Sequence, residues 1–353
     1  MKIAVYTIAL NEEKFIERWY ESAKDADYLM IADTGSTDKT KRIAKKLGIK
    51  VVDISIKPWR FDDARNAALA YLPDDIDMCV SLDMDEVLSE GWREHLEKTT
   101  GTQIYYKFTQ DWRDIETQLH PKNQFVTNKI HARHGYRWKF IVHELPFPDR
   151  NENHITEFSE LEILHKPDNN KSRSAYSQLI LDTFNENPNS DRYQMYHARS
   201  LVDGIHNEEA KQEFLKFIKM PIKETTISDK SFAYILLAHL DNANAKKYLK
   251  KSIKATPERR EGYVSLAMYH YKRENWRRCE RLCKKALEIK KYIVDYNYGE
   301  YAWGKLPKNM LYACKENKKL LKKSKNYEQN KIKLNVDSLI AQNFEIFKDE
   351  DML

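Results

Sequence analysis

Four short apolar runs set the rhythm of the opening of the chain: Ile3 to Leu10, Leu29 to Ala32, Val51 to Ile54 and Met78 to Leu82. Helical or polar stretches separate them. That alternation predicts a parallel α/β unit, in which ligands bind at the carboxyl ends of the strands. Two of the runs end in acid. Met78-Cys79-Val80-Ser81-Leu82 leads into Asp83-Met84-Asp85, and the second run leads into Asp33-Thr34-Gly35-Ser36-Thr37-Asp38. Further on, Trp138 to Val142 has strand-like composition and precedes His143-Glu144, while Leu161 to Leu164 ends at His165.

The strand-loop-helix pattern persists to about Lys166, and after Ala175 the pattern is helical. The helical half repeats. Ala198, Ala233 and Ala267 stand 35 and 34 residues apart, and 12 residues after each comes another small residue, Ala210, Ala245 or Cys279. One turn later come Phe214, Leu249 and Cys283. Small residues at this spacing let two helices approach closely, and the large residue fills the seam. The spacing resembles a tetratricopeptide array, with Tyr, Gln or Asp where such repeats usually carry Trp. Ala302 and Cys314 suggest a degenerate fourth unit. An ordinary helical bundle is the alternative. The expected domains are residues 1–170, residues 171–330, and a terminal helix or tail at 331–353.

The chain has 353 residues, enough for two domains, and 41% of them are hydrophobic, enough for a core. No run of 18 apolar residues is present, so no membrane-spanning helix is expected. The start of the chain lacks the layout of a signal peptide. Cys79, Cys279, Cys283 and Cys314 show no paired Cys-x-x-Cys spacing. They read as core residues in a reducing compartment, so the cytoplasm is the expected location. The formal charge is +6, and Lys315, Lys318, Lys319, Lys322, Lys323 and Lys325 crowd one stretch. A solvated helix face explains them more simply than a surface for an anionic acceptor or nucleic acid, because no base-reading motif accompanies them.

Asp83 and Asp85 are the central chemical feature. On an extended chain, side chains two apart share a face, which would aim both carboxylates one way. Paired hard oxygen ligands at a strand end suit a divalent cation shared with a phosphorylated ligand. Glu86 reads as a helix N-terminal residue rather than a ligand. Asp33 opens a segment with good turn and cap chemistry, in which Ser36 or Thr37 caps a helix beginning near Asp38. Asp62 and Asp63 are expected to hold a turn before a helix running to Tyr71. Among the 11 histidines, His131 and His134 carry little functional weight.

Four landmarks occur in order: Asn11-Glu12-Glu13, Asp33 to Asp38, Trp59-Arg60-Phe61-Asp62-Asp63-Ala64-Arg65-Asn66, and Leu82-Asp83-Met84-Asp85-Glu86-Val87-Leu88. Together they resemble a family 2 glycosyltransferase of the GT-A fold. The likeness is dense over roughly the first 90 residues and thinner, through Val142-His143-Glu144 and His165, over the next 80. It implies a Rossmann-like mixed α/β sheet that binds a nucleotide sugar, followed here by the all-α tetratricopeptide-like domain. By that resemblance, the loop from Thr7 to Asn11, with Glu13, lies against the nucleotide, and Asp33 accepts from uracil N3-H. Arg65 contacts the base or a phosphate, with a surface salt bridge as its alternative role. Asp83 contacts the ribose or the metal's waters, and Asp85 binds Mn²⁺ or Mg²⁺. His165 completes the metal shell, unless it is a buried hydrogen-bonded histidine. Glu144 is the candidate general base, with pairing to Arg137 or Lys139 as its structural alternative. The family more often uses an Asp of an acidic pair, which this chain lacks.

The resulting expectation is a metal-dependent, inverting transfer from a UDP-sugar to a protein, a glycan, a lipid-linked sugar or a hydroxylated nucleic-acid base. The acceptor is expected along a mouth built by residues 100–170 and the helical array. Two rivals remain: a nucleotide-sugar-binding adaptor without catalysis, and a sugar nucleotidyltransferase. The second would want a Gly-rich basic loop after the first strand, where the chain has Thr7-Ile8-Ala9-Leu10-Asn11-Glu12-Glu13.

Overall fold

The computed structural model describes residues 1–110, 123–149, 154–166, 176–204, 206–291, 293 and 299–323. The expected tail at 331–353, and Lys325, lie outside the described residues. The chain divides into two compact units, Met1–Leu179 and Ile180–Leu353.

The first unit contains strands β1 (Ile3–Ala9), β2 (Tyr28–Asp33), β3 (Lys50–Asp53), β4 (Met78–Ser81), β5 (Glu86–Leu88), β6 (Gln103–Gln110), β7 (Asn123–Ala132), β8 (Tyr136–Lys139), β9 (Leu145–Pro148) and β10 (Thr156–His165). Helices α1 (Ile16–Ala23), α2 (Thr40–Lys46), α3 (Phe61–Ala70) and α4 (Trp92–Glu97) connect the early strands. Eight strands form one mixed sheet in the order β3-β2-β1-β4-β7-β6-β10-β5, and β8 and β9 form a separate ribbon. β1 pairs parallel with β2 and β4, and β2 with β3. β7 runs antiparallel to both β4 and β6.

The apolar runs are continuous because both faces of this sheet are covered. Ile3 and Val5 join one core cluster while Ala4 and Tyr6 join another. Val80 and Cys79 divide the same way between the two clusters. Chain order reverses at β1, with β2 and β3 on one side and β4 on the other. Such a switch point opens a crevice beyond the carboxyl ends of the strands, here at Ala9, Asp33 and Ser81.

Three boundaries differ from expectation. β1 continues through Thr7, which is completely buried in the strand rather than part of a loop. α3 begins at Phe61, so Arg65 lies inside the helix, not ahead of it. Asp62 and Asp63 occupy its first turn, where acids complement the helix dipole. Glu86 begins strand β5 instead of a helix, because residues 86–88 pair antiparallel with β10.

α5 (Tyr176–Glu186) spans the division between the units. The second unit continues with α6 (Asp191–Asp203), α7 (Asn207–Phe217), α8 (Ile227–Leu240), α9 (Ala245–Ala255), α10 (Arg260–Lys272), α11 (Trp276–Glu288), α12 (Glu300–Trp303) and α13 (Leu306–Lys323). Ala198, Ala210, Phe214, Ala233, Ala245, Leu249, Ala267, Cys279 and Cys283 all belong to its one core cluster, with Ala302 and Cys314. All four cysteines are buried and free. Lys318 is tied to Glu280 and Lys319 to Glu316, which suits a structured helix surface. No described helix is long and apolar enough to cross a membrane.

Candidate functional site

Two loops meet at the carboxyl ends of β1 and β2. Asp33 Oδ1 accepts from the backbone N-H of Gly35 (3.0 Å) and Ser36 (2.8 Å), closing an Asx-type turn. Its other oxygen, Oδ2, is buried and has no hydrogen-bond partner among the described residues. Asn11, at a positive φ of 57°, donates its backbone N-H to Ser36 Oγ (2.8 Å), and its Oδ1 accepts from Thr37 N (2.8 Å). Glu13 Oε2 accepts from Lys39 N (2.9 Å), and its own N-H reaches Asp38 Oδ2 (3.1 Å). Asn11 and Glu13 therefore fasten the first loop to the second. Ser36 and Thr37 do not cap α2, because Ser36 is engaged with Asn11. Asp38 Oδ1 instead receives the Thr40 N-H (2.9 Å) at the start of that helix.

The acidic segment is a turn, not an extended strand. β4 ends at Ser81, and Met84 and Asp85 form the turn. Glu86 N-H donates to Asp83 O (2.9 Å), while Asp83 N-H donates to Glu86 Oε2 (2.8 Å). The expected sharing of one face fails for this reason, and the two carboxylates go to different partners. Asp83 Oδ1 accepts from Arg65 Nη2 (2.7 Å) and Oδ2 from Lys129 Nζ (2.6 Å). Asp85 Oδ2 lies 3.1 Å from His165 Nε2. That meeting follows from sheet pairing, since β10 sets His165 opposite Glu86. Lys166 N-H donates to Asp85 O (2.8 Å), and Arg18 Nη2 binds both Asp85 O (3.3 Å) and Lys166 O (3.1 Å).

Arg65 is a buried hub rather than a surface salt bridge. Its Nε donates to Glu144, its Nη1 to Ser81 Oγ (2.8 Å) and its Nη2 to Asp83. Its guanidinium carbon lies 4.9 Å from the centre of the Trp138 ring. Glu144 thus pairs with Arg65, and not with Arg137 or Lys139, because α3 and the loop after β8 face one another. Asn66 fixes that approach through paired bonds to the Trp138 backbone, each 2.9 Å.

Lys129, on β7, was not singled out from the sequence. It bridges Asp83 and Glu86 Oε1 (3.1 Å). The available signal was a lysine between Asn128 and Ile130 in a strand-like run, which does not indicate a partner 46 residues away. Arg18 was missed similarly. His131, which carried little functional weight in the sequence, is completely buried, with Nε2 3.3 Å from Tyr6 Oη. Burial pushes its pKa down to about 4.

The charges reinforce one another. Burial opposes ionisation of Asp83, but Arg65 and Lys129 overcome it and hold the carboxyl far below its usual range. Burial likewise opposes the charge on Lys129, which Asp83 and Glu86 overcome. Asp85 is also lowered, against burial, by the His165 hydrogen bond. Glu86 is raised, first by burial.

Among the described residues no three Asp, Glu, His or Cys side chains converge as a ligand set. Asp83 does not join Asp85 and His165, since both its oxygens are taken by cations. One carboxylate and one imidazole remain side by side. That pair fits a Mn²⁺- or Mg²⁺-type ion that takes its other ligands from phosphate and water.

Residues 4–145 match the sequence model of the family described as Glycosyl transferase family 2. An uncharacterized glycosyltransferase of Rickettsia bellii is 37% identical over 97 residues, covering 27% of this chain and 32% of the relative. One from Rickettsia typhi is 35% identical over 98 residues, with the same shares of 27% and 32%. The chain spans about a third of the length of the curated relatives it matches. Among solved structures, Mycobacterium tuberculosis glucosyl-3-phosphoglycerate synthase with Mn²⁺, UDP and phosphoglyceric acid matches at 20% identity, 52% of this chain, 77% of that chain and a TM-score of 0.35. S. aureus TarS 1-349 with UDP-GlcNAc matches at 12% identity, 90% of this chain, 92% of that chain and a TM-score of 0.36. Scores this low carry no argument.

Proposed function

We propose that this chain, whose residues 4–145 match the glycosyl transferase family 2 model, is a metal-dependent, inverting glycosyltransferase using a uridine-diphosphate sugar. The observation that carries this reading is the buried Asp33 Oδ2 at the end of β2, in the same crevice as the acidic turn. It has no hydrogen-bond partner among the described residues, Lys41 Nζ lying 3.8 Å from Oδ1. A buried carboxylate oxygen without a donor is costly, and a nucleobase N-H relieves that cost. Uracil N3-H is such a donor.

Asn11 and Glu13 shape the nucleotide wall, and the backbone of Leu10 and Asn11, just beyond β1, lines it. Asp83, held by Arg65 and Lys129, faces the ribose. Asp85 and His165 are the residues that would hold Mn²⁺ or Mg²⁺. When bound, the ion neutralises charge on the departing diphosphate. Glu144 is the general base. Arg65 orients it through one oxygen, and the other takes the acceptor's proton as the new bond to the anomeric carbon forms. The anomeric bond to the diphosphate breaks with its electron pair leaving on UDP. A guanidinium-bound carboxylate is a weak base, so it acts late, when the acceptor oxygen's proton has become acidic.

The helical half is read as a tetratricopeptide-like platform for the acceptor or for assembly, and the chain as cytoplasmic. Thermal shift with UDP, GDP and Mn²⁺ tests the donor reading, because a ligand that binds the native state alone stabilises it. UDP with Mn²⁺ should raise the melting temperature more than GDP. Asp85→Ala should abolish UDP-sugar turnover in a folded protein. Full wild-type activity in EDTA, or no preference for UDP, would sink the reading. A non-catalytic adaptor would bind UDP-sugar without hydrolysing or transferring it.

A further inference from the structure

The acidic turn carries three carboxylates in four residues, Asp83, Asp85 and Glu86. A divalent cation would ordinarily be drawn to all of them. The structure separates them by charge. Lys129 stands between Asp83 Oδ2 (2.6 Å) and Glu86 Oε1 (3.1 Å), and Arg65 occupies Asp83 Oδ1 (2.7 Å). Glu86 is nearly completely buried, and its Oε2 is held by the Asp83 N-H. Asp85 alone turns to His165.

We propose that Lys129 is an internal counter-cation that keeps Asp83 and Glu86 out of the metal's coordination, so that metal binding waits for the donor's diphosphate. The inference rests on the donor reading above for the diphosphate, and on the geometry of Lys129 alone for the separation. Two donors among the described residues make a poor site for a hard cation that wants six or more ligands. Phosphate oxygens supply what the protein withholds. A site with Asp83 released would hold a second carboxylate, and the ammonium's repulsion of the ion would be gone. It would bind metal without nucleotide. Lys129 is therefore a positioning residue: it touches Asp83 and Glu86, not the reacting atoms.

The test is a Mn²⁺ titration of the full chain followed by electron paramagnetic resonance, with and without UDP. Wild type should bind Mn²⁺ weakly alone and more tightly with UDP. Lys129→Met should bind Mn²⁺ about ten-fold tighter or more without nucleotide, through the Coulomb repulsion it removes. The gain from UDP should shrink correspondingly. Lys129→Arg keeps the charge and should restore the wild-type pattern. Lys129→Met leaves Glu86 buried without its ammonium, so Lys129→Met with Glu86→Gln provides a neutral-for-neutral version expected to fold. It should show the same tightening, since Asp83 Oδ2 is still freed while Arg65 keeps Oδ1. Unchanged or weaker Mn²⁺ binding in either folded variant would overturn the proposal. Failure of UDP to bind wild type would instead overturn the donor reading. The nucleotide-free comparison of wild type and variant would still decide the role of Lys129.

Discussion

Replacing Arg65 by Met should destabilise the first domain by about 3 kcal/mol or more. The guanidinium is 4% exposed and joins Glu144, 8% exposed, to Asp83, 27% exposed. Removing one partner of a buried ion pair costs about 3–5 kcal/mol, because the other charge stays buried. Glu144 loses its cationic partner, whereas Asp83 keeps Lys129 and reaches solvent, so the lower part of that range is expected. Adding Glu144→Gln to the Met variant removes the stranded charge and should return about 1–2 kcal/mol, the scale of an unmet hydrogen bond to a charged group. Arg65→Lys keeps a charge but not the three-way fork, and should fall between the two.

Native-state hydrogen exchange of the β1 and β4 amides reports the opening of this sheet and is the assay of choice. The pH dependence carries a sign. Arg65 and Lys129 lower the folded pKa of Asp83 below its unfolded value of about 3.9, so their stabilisation is complete well above pH 4 and fades as pH falls through the folded pKa. The gap between wild type and Arg65→Met should be flat from about pH 6 to 8 and narrow below about pH 4. A loss under about 1 kcal/mol at pH 7 would refute the hub, since surface pairs give no more.

Asp33→Ala should weaken UDP binding by roughly 1–3 kcal/mol in calorimetry, the range for a hydrogen bond to a charged acceptor; equal affinity for UDP and GDP in wild type would show that the base is not read there. Glu144→Gln should lower kcat by about 10² to 10⁴ with donor affinity nearly unchanged, and survival of kcat would place the base elsewhere. Protonating buried His131 favours the unfolded chain, so its contribution should drain away between about pH 6.5 and pH 4, by about 3 kcal/mol at 1.36 kcal/mol per pH unit. His131→Gln should flatten that part of the acid slope in urea unfolding; an unchanged slope would assign acid sensitivity to other groups.

What the sequence disclosed, and what it hid, divides along one physical line. Ile3 to Leu10 and Met78 to Leu82 were readable as strands because a strand covered on both faces must be apolar at successive positions, which is a local property. The small residues from Ala198 to Cys279 were readable for the same reason: close helix packing restricts side-chain size at fixed spacing. The acidic turn was only half readable. Its carboxylates were visible, but their directions depend on β4 ending at Ser81 rather than running on to Asp85. The partners of Asp83 come from α3 and β7, at separations of 18 and 46 residues, and His165 meets Asp85 across 80. No local pattern encodes those distances; sheet order sets them.

That dependence on sheet order also changes what the acidic motif does. Read as a triplet, Asp83-Met84-Asp85 offers a cation two carboxylates. Placed between β4 and β7, the first aspartate becomes the anionic centre of a half-buried Arg65–Asp83–Lys129 bridge, and the second lies beside an imidazole. The two acids are then not redundant. Asp83→Asn should take one carboxylate from Arg65 and from Lys129, which keep Glu144 and Glu86, and act chiefly on stability, while Asp85→Asn should leave the bridge whole and act chiefly on metal-dependent turnover. Measuring unfolding free energy and Mn²⁺ affinity for both variants separates these effects. If the two substitutions lowered both quantities alike, the motif would be working as a symmetric pair, and the division of labour drawn from Lys129 and His165 would be wrong.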